Sequence, residues 1–141
     1  MATSTLTLDI ADFIAKSEKR MIALARQSTQ DVIDDAQVPV AKGGRMRVDT
    51  GFLRASGQGS LSGMPSGPVR GDNKQPNSYD YDPSVTVLQL GNFQLGNIFY
   101  FGWTANYAQI REVYDGFLAV AVQNWPTYVA KNTEEIRQRI S

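Results

Sequence analysis

Between Asp9 and Ala36, the residues Ile10, Phe13, Ile14, Ser17, Met21, Leu24, Ala25, Ser28 and Val32 recur at spacings of three and four. At 3.6 residues per turn these positions share one stripe, so the segment is constrained to a single long amphipathic helix over 9–36. Asp9, just before the pattern begins, is its expected N-cap. Lys16, Lys19, Arg20 and Arg26 fall on the far face, and Pro39 with Gly43-Gly44 ends the run. Residues 1–8 read as a tail or a short strand.

A one-sided helix of this length needs other elements to cover its stripe. Ser84 to Leu90 (SVTVLQL) is rich in β-branched residues and reads as a strand, as does the aromatic run Ile98 to Trp103 (IFYFGW). Gly91-Asn92 and Gly96-Asn97 supply turns, and Arg45 to Val48 is a candidate further strand. From Asp115 to Ile140, Leu118, Val122, Trp125, Val129, Asn132, Ile136 and Ile140 keep one helical phase. That predicts a second helix, kinked at Pro126, or else broken there with Asn124 capping the second piece. The expected fold is α+β: a small antiparallel sheet of about four strands over 84–103, packed with a long N-terminal and a C-terminal helix. The whole of 1–141 reads as one domain. Between them, 57–83 holds five Gly (57, 59, 63, 67, 71) and two Pro (65, 68) before Asp72 and shows no periodicity, which predicts an extended Gly/Pro-rich arm.

Composition narrows the chemistry. The chain has no Cys and no His. That removes disulfides, thiolate nucleophiles, the common zinc ligands and the usual general base near neutral pH. Formal charge is zero, which argues against a dedicated nucleic-acid binder. The charge is unevenly spread: Ala41–Asp80 carries six basic and three acidic residues, a local +3, and the first forty residues carry four basic and six acidic, a local −2. Such polarity suits head-to-tail association of copies. No apolar run approaches the ~18 residues of a membrane span, and MATSTLTLDIADF lacks the charged and apolar regions of a secretory signal.

Motif by motif, the catalytic readings weaken. GQGSLSGMPSG has the glycines of a phosphate loop without its Lys-Ser/Thr, and reads as a loop. No Gly-x-Ser-x-Gly elbow or Ser-x-x-Lys pair is present. Asp31, Asp34 and Asp35 share a helical face and suit a hard cation in type, yet sit near a helix C-terminus, where the dipole disfavours negative charge. They read as an exposed acidic patch available for contacts. Asp80 and Asp82 lack an EF-hand's spacing, and Glu134 and Glu135 face water. Phe99, Tyr100, Phe101, Trp103 and Tyr107 serve either as a sheet face packed on helices or as a stacking platform for bases.

Val48-Asp49-Thr50-Gly51-Phe52-Leu53-Arg54-Ala55-Ser56 resembles the Val-Asp-Thr-Gly-x-Leu-Arg-x-Ser signature of the neck or tail-completion family of long-tailed bacteriophages. The family's second landmark, a Tyr-Ala pair followed by Glu, is matched by Tyr107-Ala108 and Glu112, and the order of elements agrees over nearly the whole chain. Where members continue with Glu-x-Gly-Thr, this chain has Glu112-Val-Tyr-Asp115. The resemblance implies a virion structural protein, assembled in the host cytoplasm and placed in the neck. It would form a hexameric ring that terminates or completes the tail tube and docks on the head connector, with DNA passing through the lumen. It implies no catalytic residues, no cofactor, no metal and no membrane. The tail tube protein and a head-completion protein would be its partners.

Contacts of such a ring are expected at Arg45, Arg47, Asp49, Arg54, Arg70 and Lys74, at Asp31, Asp34 and Asp35, and at Trp103, Tyr107 and Glu112. Within the motif, Asp49 is expected to accept backbone N–H bonds as an Asx turn does, with Thr50 adding a second cap. Gly51 allows a positive φ or close packing, Leu53 is buried against the helices, Arg54 points outward, and Arg54 and Arg47 are placed to pair with a neighbour's carboxylates. Competing readings are a head-closure protein one level higher, an aspartic-type hydrolase using Asp49, and a nucleic-acid-binding module.

Overall fold

The helical stripe becomes α1, Ala2–Ala36, in a computed structural model that describes residues 2–140. The helix starts at Ala2, so Asp9 lies inside it and is not its N-cap, and 2–8 are neither tail nor strand. No Gly or Pro precedes Asp9, and nothing local interrupts the turns. Pro39 stops the helix as expected, and a 3-10 turn, Val40–Lys42, follows.

Arg45 to Val48 does not form a strand. It contributes one bridge, Met46 to Pro39, which leaves Met46 fully buried and Arg45 and Arg47 exposed. After a single turn of helix, α2 (Phe52–Ala55), the chain enters β1, Gly57–Ser60. β1 pairs antiparallel with β2, Tyr100–Trp103, placing Gly57 opposite Trp103 and Ser60 opposite Tyr100. These two strands are the whole sheet among the described residues, not the four expected. β1 escaped recognition because two of its four residues, Gly57 and Gly59, are glycines. They have to be, since a Cβ on Gly59 would meet the Phe99 ring and one on Gly57 the side chain of Gln37.

Ser84 to Leu90 is helical, not extended: α3 spans Pro83–Leu90. The deciding signal is Asp82-Pro83. The Asp82 carboxylate accepts the Ser84 N–H at 3.0 Å and the Ser84 hydroxyl at 2.6 Å, and Pro83 occupies the first turn, where its missing N–H costs nothing. End chemistry overrode β-branched propensity.

The C-terminal region is three helices: α4 (Ala108–Asp115), α5 (Phe117–Gln123) and α6 (Trp125–Arg139). The expected single helix over 115–140 is therefore divided, with the α5–α6 break at Asn124. Asn124 makes no side-chain cap there and instead donates to Asp35 at 2.9 Å. α6 packs antiparallel along α1, since Arg20 Nε reaches the Ile140 carbonyl at 2.6 Å while Asn124 and Tyr128 reach Asp35. Ala36, Met46, Leu53, Ala105, Phe117 and Ala121 form the core. Trp103 packs edge-on against Phe101 and Phe117, with centroids 5.1 and 5.0 Å apart, which gives the aromatic run a packing role. The architecture is broadly α+β, dominated by helices. None of them is long and apolar enough to cross a membrane among the described residues.

The segment 61–83 does not extend away from the body as an arm. Val69 N–H donates to the Thr104 carbonyl at 2.7 Å, and Asn106 N–H to the Val69 carbonyl at 2.8 Å. Further on, Asn77 N–H donates to the Asp49 carbonyl at 2.8 Å and Tyr79 N–H to the Thr50 carbonyl at 2.9 Å. The Asp-Thr-Gly motif thus clasps the loop against the molecule.

Candidate functional site

The clasp depends on Gly51, which opens α2 at φ +87°, a left-handed conformation, with its Cα side against the Tyr79 carbonyl. Any Cβ there would clash with that oxygen. The side-chain cap of α2 comes from Thr50, whose Oγ1 accepts the Phe52 N–H at 3.2 Å. The expected Asx turn at Asp49 is not made: Asp49 contributes its backbone carbonyl, and its carboxylate stays exposed. Leu53 is buried as expected.

Arg54 does not point outward to a neighbour. Its Nε donates to the Gln37 carbonyl at 2.7 Å, and its guanidinium lies 5.3 Å from the centre of the Tyr81 ring. Gln37, 1% exposed, answers by donating to the Arg54 carbonyl at 3.0 Å and accepting from Trp103 Nε1 at 3.0 Å. Trp103 is therefore engaged within the chain. No pattern marks Gln37 in the sequence, because its importance lies in three long-range hydrogen bonds to Arg54 and Trp103.

The acidic trio is also largely spent internally, not presented as a patch. Asp31 accepts from the buried Asn132 at 2.8 Å, and Asp35 from Asn124 and from Tyr128 at 2.9 and 2.8 Å. Asp34 alone remains on the outer side, accepting from Gln30 at 2.7 Å. Burial and the bond to Asp35 push the Tyr128 phenol up to about 12. Among the described residues, no group of three or more carboxylates is placed to hold a metal.

Glu112 performs a local task. Its two carboxylate oxygens accept the N–H groups of Leu118 and Ala119 at 2.8 and 2.9 Å, capping α5 across the left-handed Gly116. The segment Glu112-Val-Tyr-Asp115 is the last turn of α4, and Gly116, at φ +66°, makes the turn that follows.

The remaining basic candidates come together. Arg47 and Asp49 from the motif, Arg70 and Lys74 from the docked loop, and Tyr107 with Arg111 at α4 line one cleft of about 540 Å³, floored in part by Phe52 and Leu53. Arg111, which no sequence motif marks, is fixed by two bonds to Asp115 at 2.9 and 2.8 Å. Those bonds hold the Asp115 carboxyl below its ordinary range, and the charge of Arg47 adds to the effect. Burial first, then the charge of Asp49, pushes the Tyr107 phenol up. Arg45 lies outside this lining, with one long contact of 3.4 Å to the Asp115 carbonyl.

The fold and the cleft together define a small helix-rich α+β protein with a basic concavity assembled around an Asp-Thr-Gly clasp. Comparison with protein-family models, with curated proteins and with solved structures gives no match.

Proposed function

We propose that this chain is a virion structural protein of the phage neck. In this reading it assembles as a hexameric ring that terminates or completes the tail tube and meets the head connector. The observation that carries it is the uncovered stripe of α1 from Ile10 to Met21. Ile10, Phe13, Ile14 and Met21 are all at least half exposed, with Phe13 at 69%, although they continue the stripe that α6 covers further along. Four large apolar side chains on one helical face are an association surface. A second, different apolar set lies on α4, where Ile110, Val113 and Tyr114 are exposed, the last two at 77%. Two unlike apolar patches on one chain suit a heterologous contact, the kind that closes into rings.

The signature shared with the neck and tail-completion family supports the same reading. The motif has a complete architectural explanation as a clasp for the loop. Asp49 is the one carboxylate lining the cleft, whereas aspartic-type hydrolysis needs a pair. A head-closure protein one level higher is the nearest alternative, since it would use the same surfaces.

The test is assembly. Mass photometry and negative-stain imaging, alone and with the tail tube protein, should show rings. The double variant Phe13→Ser with Ile14→Ser should abolish them and leave the monomer folded. A wild-type chain that stays monomeric under both conditions overturns the reading. Portal, capsid or tail-tube genes beside its gene would support it independently.

A further inference from the structure

The apolar faces that carry the ring reading lie on α1 and α4, and the ring contacts expected from the sequence at Arg47, Asp49, Arg70, Lys74 and Tyr107 converge instead on one basic cleft. Its cations arrive from three segments distant in sequence: Arg47 from the clasp, Arg70 and Lys74 from the docked loop, and Arg111 from α4. Of these, only Arg111 has an ion-pair partner among the described residues. The lining holds four cations and one carboxylate, Asp49, a difference of +3, and still +2 once Asp115 is set against Arg111.

Like charges gathered in a concavity with an apolar floor repel one another, and an anion entering there relieves the repulsion. The walls are also held in place beforehand. The Asn77–Asp49 and Tyr79–Thr50 backbone bonds fix the loop to the motif, and the Asn73 N–H donates to the Tyr79 hydroxyl at 2.8 Å. A fixed loop backbone limits the ordering cost of binding to the exposed Arg47, Arg70 and Lys74 side chains themselves.

We propose that this cleft binds a small ligand carrying a diphosphate, or two neighbouring phosphate groups, with Arg47, Arg70 and Lys74 as its direct partners. The charge count selects this class. One protein carboxylate would offset a single unit of the excess, whereas a diphosphate offsets all of it. Guanidinium forks match phosphate oxygens in pairs, and a lysine adds a point charge. The volume, about 540 Å³, lies in the range of about 300–1,000 Å³ typical of small-ligand clefts and leaves room for an organic group against Phe52 and Tyr107.

Pyrophosphate is the probe, titrated calorimetrically into the full chain at physiological salt. Arg70 and Lys74 make no side-chain hydrogen bond or ion pair among the described residues, so the variant Arg70→Gln with Lys74→Gln should keep the wild-type circular dichroism. Its affinity should fall about tenfold or more. Lys19→Gln with Lys131→Gln, remote from the cleft, is the control for diffuse charge and should bind as wild type does. No binding of pyrophosphate at millimolar concentration overturns the proposal. Equal weakening in both double variants overturns it too, as does binding of a short oligodeoxynucleotide in the absence of pyrophosphate binding, which would make the surface a strand track. Binding is read per chain, so loss of rings and loss of ligand are separate results.

Discussion

Gln37 and Arg54 hold each other twice: Arg54 Nε donates to the Gln37 carbonyl, and Gln37 Nε2 donates to the Arg54 carbonyl, at 2.7 and 3.0 Å. This exchange ties the end of α1 to α2, and Trp103 joins it through its indole N–H. Gln37→Leu leaves the Arg54 carbonyl and the Trp103 indole without their partners, and should lower unfolding free energy by about 2–4 kcal/mol, measured by urea denaturation of the monomer. Arg54→Ala should cost about 1–2 kcal/mol in the same assay. An arginine reserved for a subunit contact would leave monomer stability unchanged.

Gly51→Ala is the sharpest test of the clasp. The substitution meets a left-handed φ and the Tyr79 carbonyl together. Destabilisation of at least about 2 kcal/mol is expected. Hydrogen exchange at the Asn77 and Tyr79 amides should rise more than at the α6 amides, because those two bonds to the motif are released first.

Glu112→Ala removes the acceptor for two N–H groups at the start of α5. It should cost about 1 kcal/mol, read as a lower melting temperature. Glu112→Gln keeps one acceptor oxygen and should recover part of the loss.

Stability should fall at alkaline pH. The folded Tyr128 phenol titrates near 12, above its ordinary value of 10, so the folded chain holds that proton when the unfolded chain has released it. The stabilisation is complete below pH 10 and lost as pH rises toward 12. Tyr128→Phe should reduce this slope and cost about 1 kcal/mol at neutral pH through the lost bond to Asp35. Tyr107 is shifted in the same direction, so some slope should persist. Chemical denaturation at several pH values measures both effects.

What was legible in the sequence follows from where the physics is local. α1 declared itself through spacing, and Pro39 through its ring, because both act on nearest neighbours. Leu53 and Gly51 were legible for the same reason. Ser84 to Leu90 reads as a strand by β-branched composition, but the start signal Asp82-Pro83 decides for a helix. β1 was hidden because its glycines serve rings more than thirty residues away. Asp31, Asp35 and Arg54, expected at subunit contacts, find partners within the chain instead: Asp31 meets Asn132, Asp35 meets Asn124 and Tyr128, and Arg54 meets Gln37. Arg111 and Gln37 carried no motif, and only the folded chain gives them partners.

At 1.5 Å per residue, the 35 residues of α1 make a rod about 52 Å long. Helical stretches without tertiary support are marginal in water, and the stripe from Ile10 to Met21 has little: Ile10, Phe13, Ile14 and Met21 are exposed, and the Arg20–Ile140 bond lies at its far end. Its helicity is therefore coupled to occupancy of that stripe. Far-ultraviolet ellipticity should deepen as protein concentration rises, and the same change should follow addition of a binding partner to dilute protein. The first quarter of the chain is in this sense a built-in spectroscopic gauge of association, readable without any label.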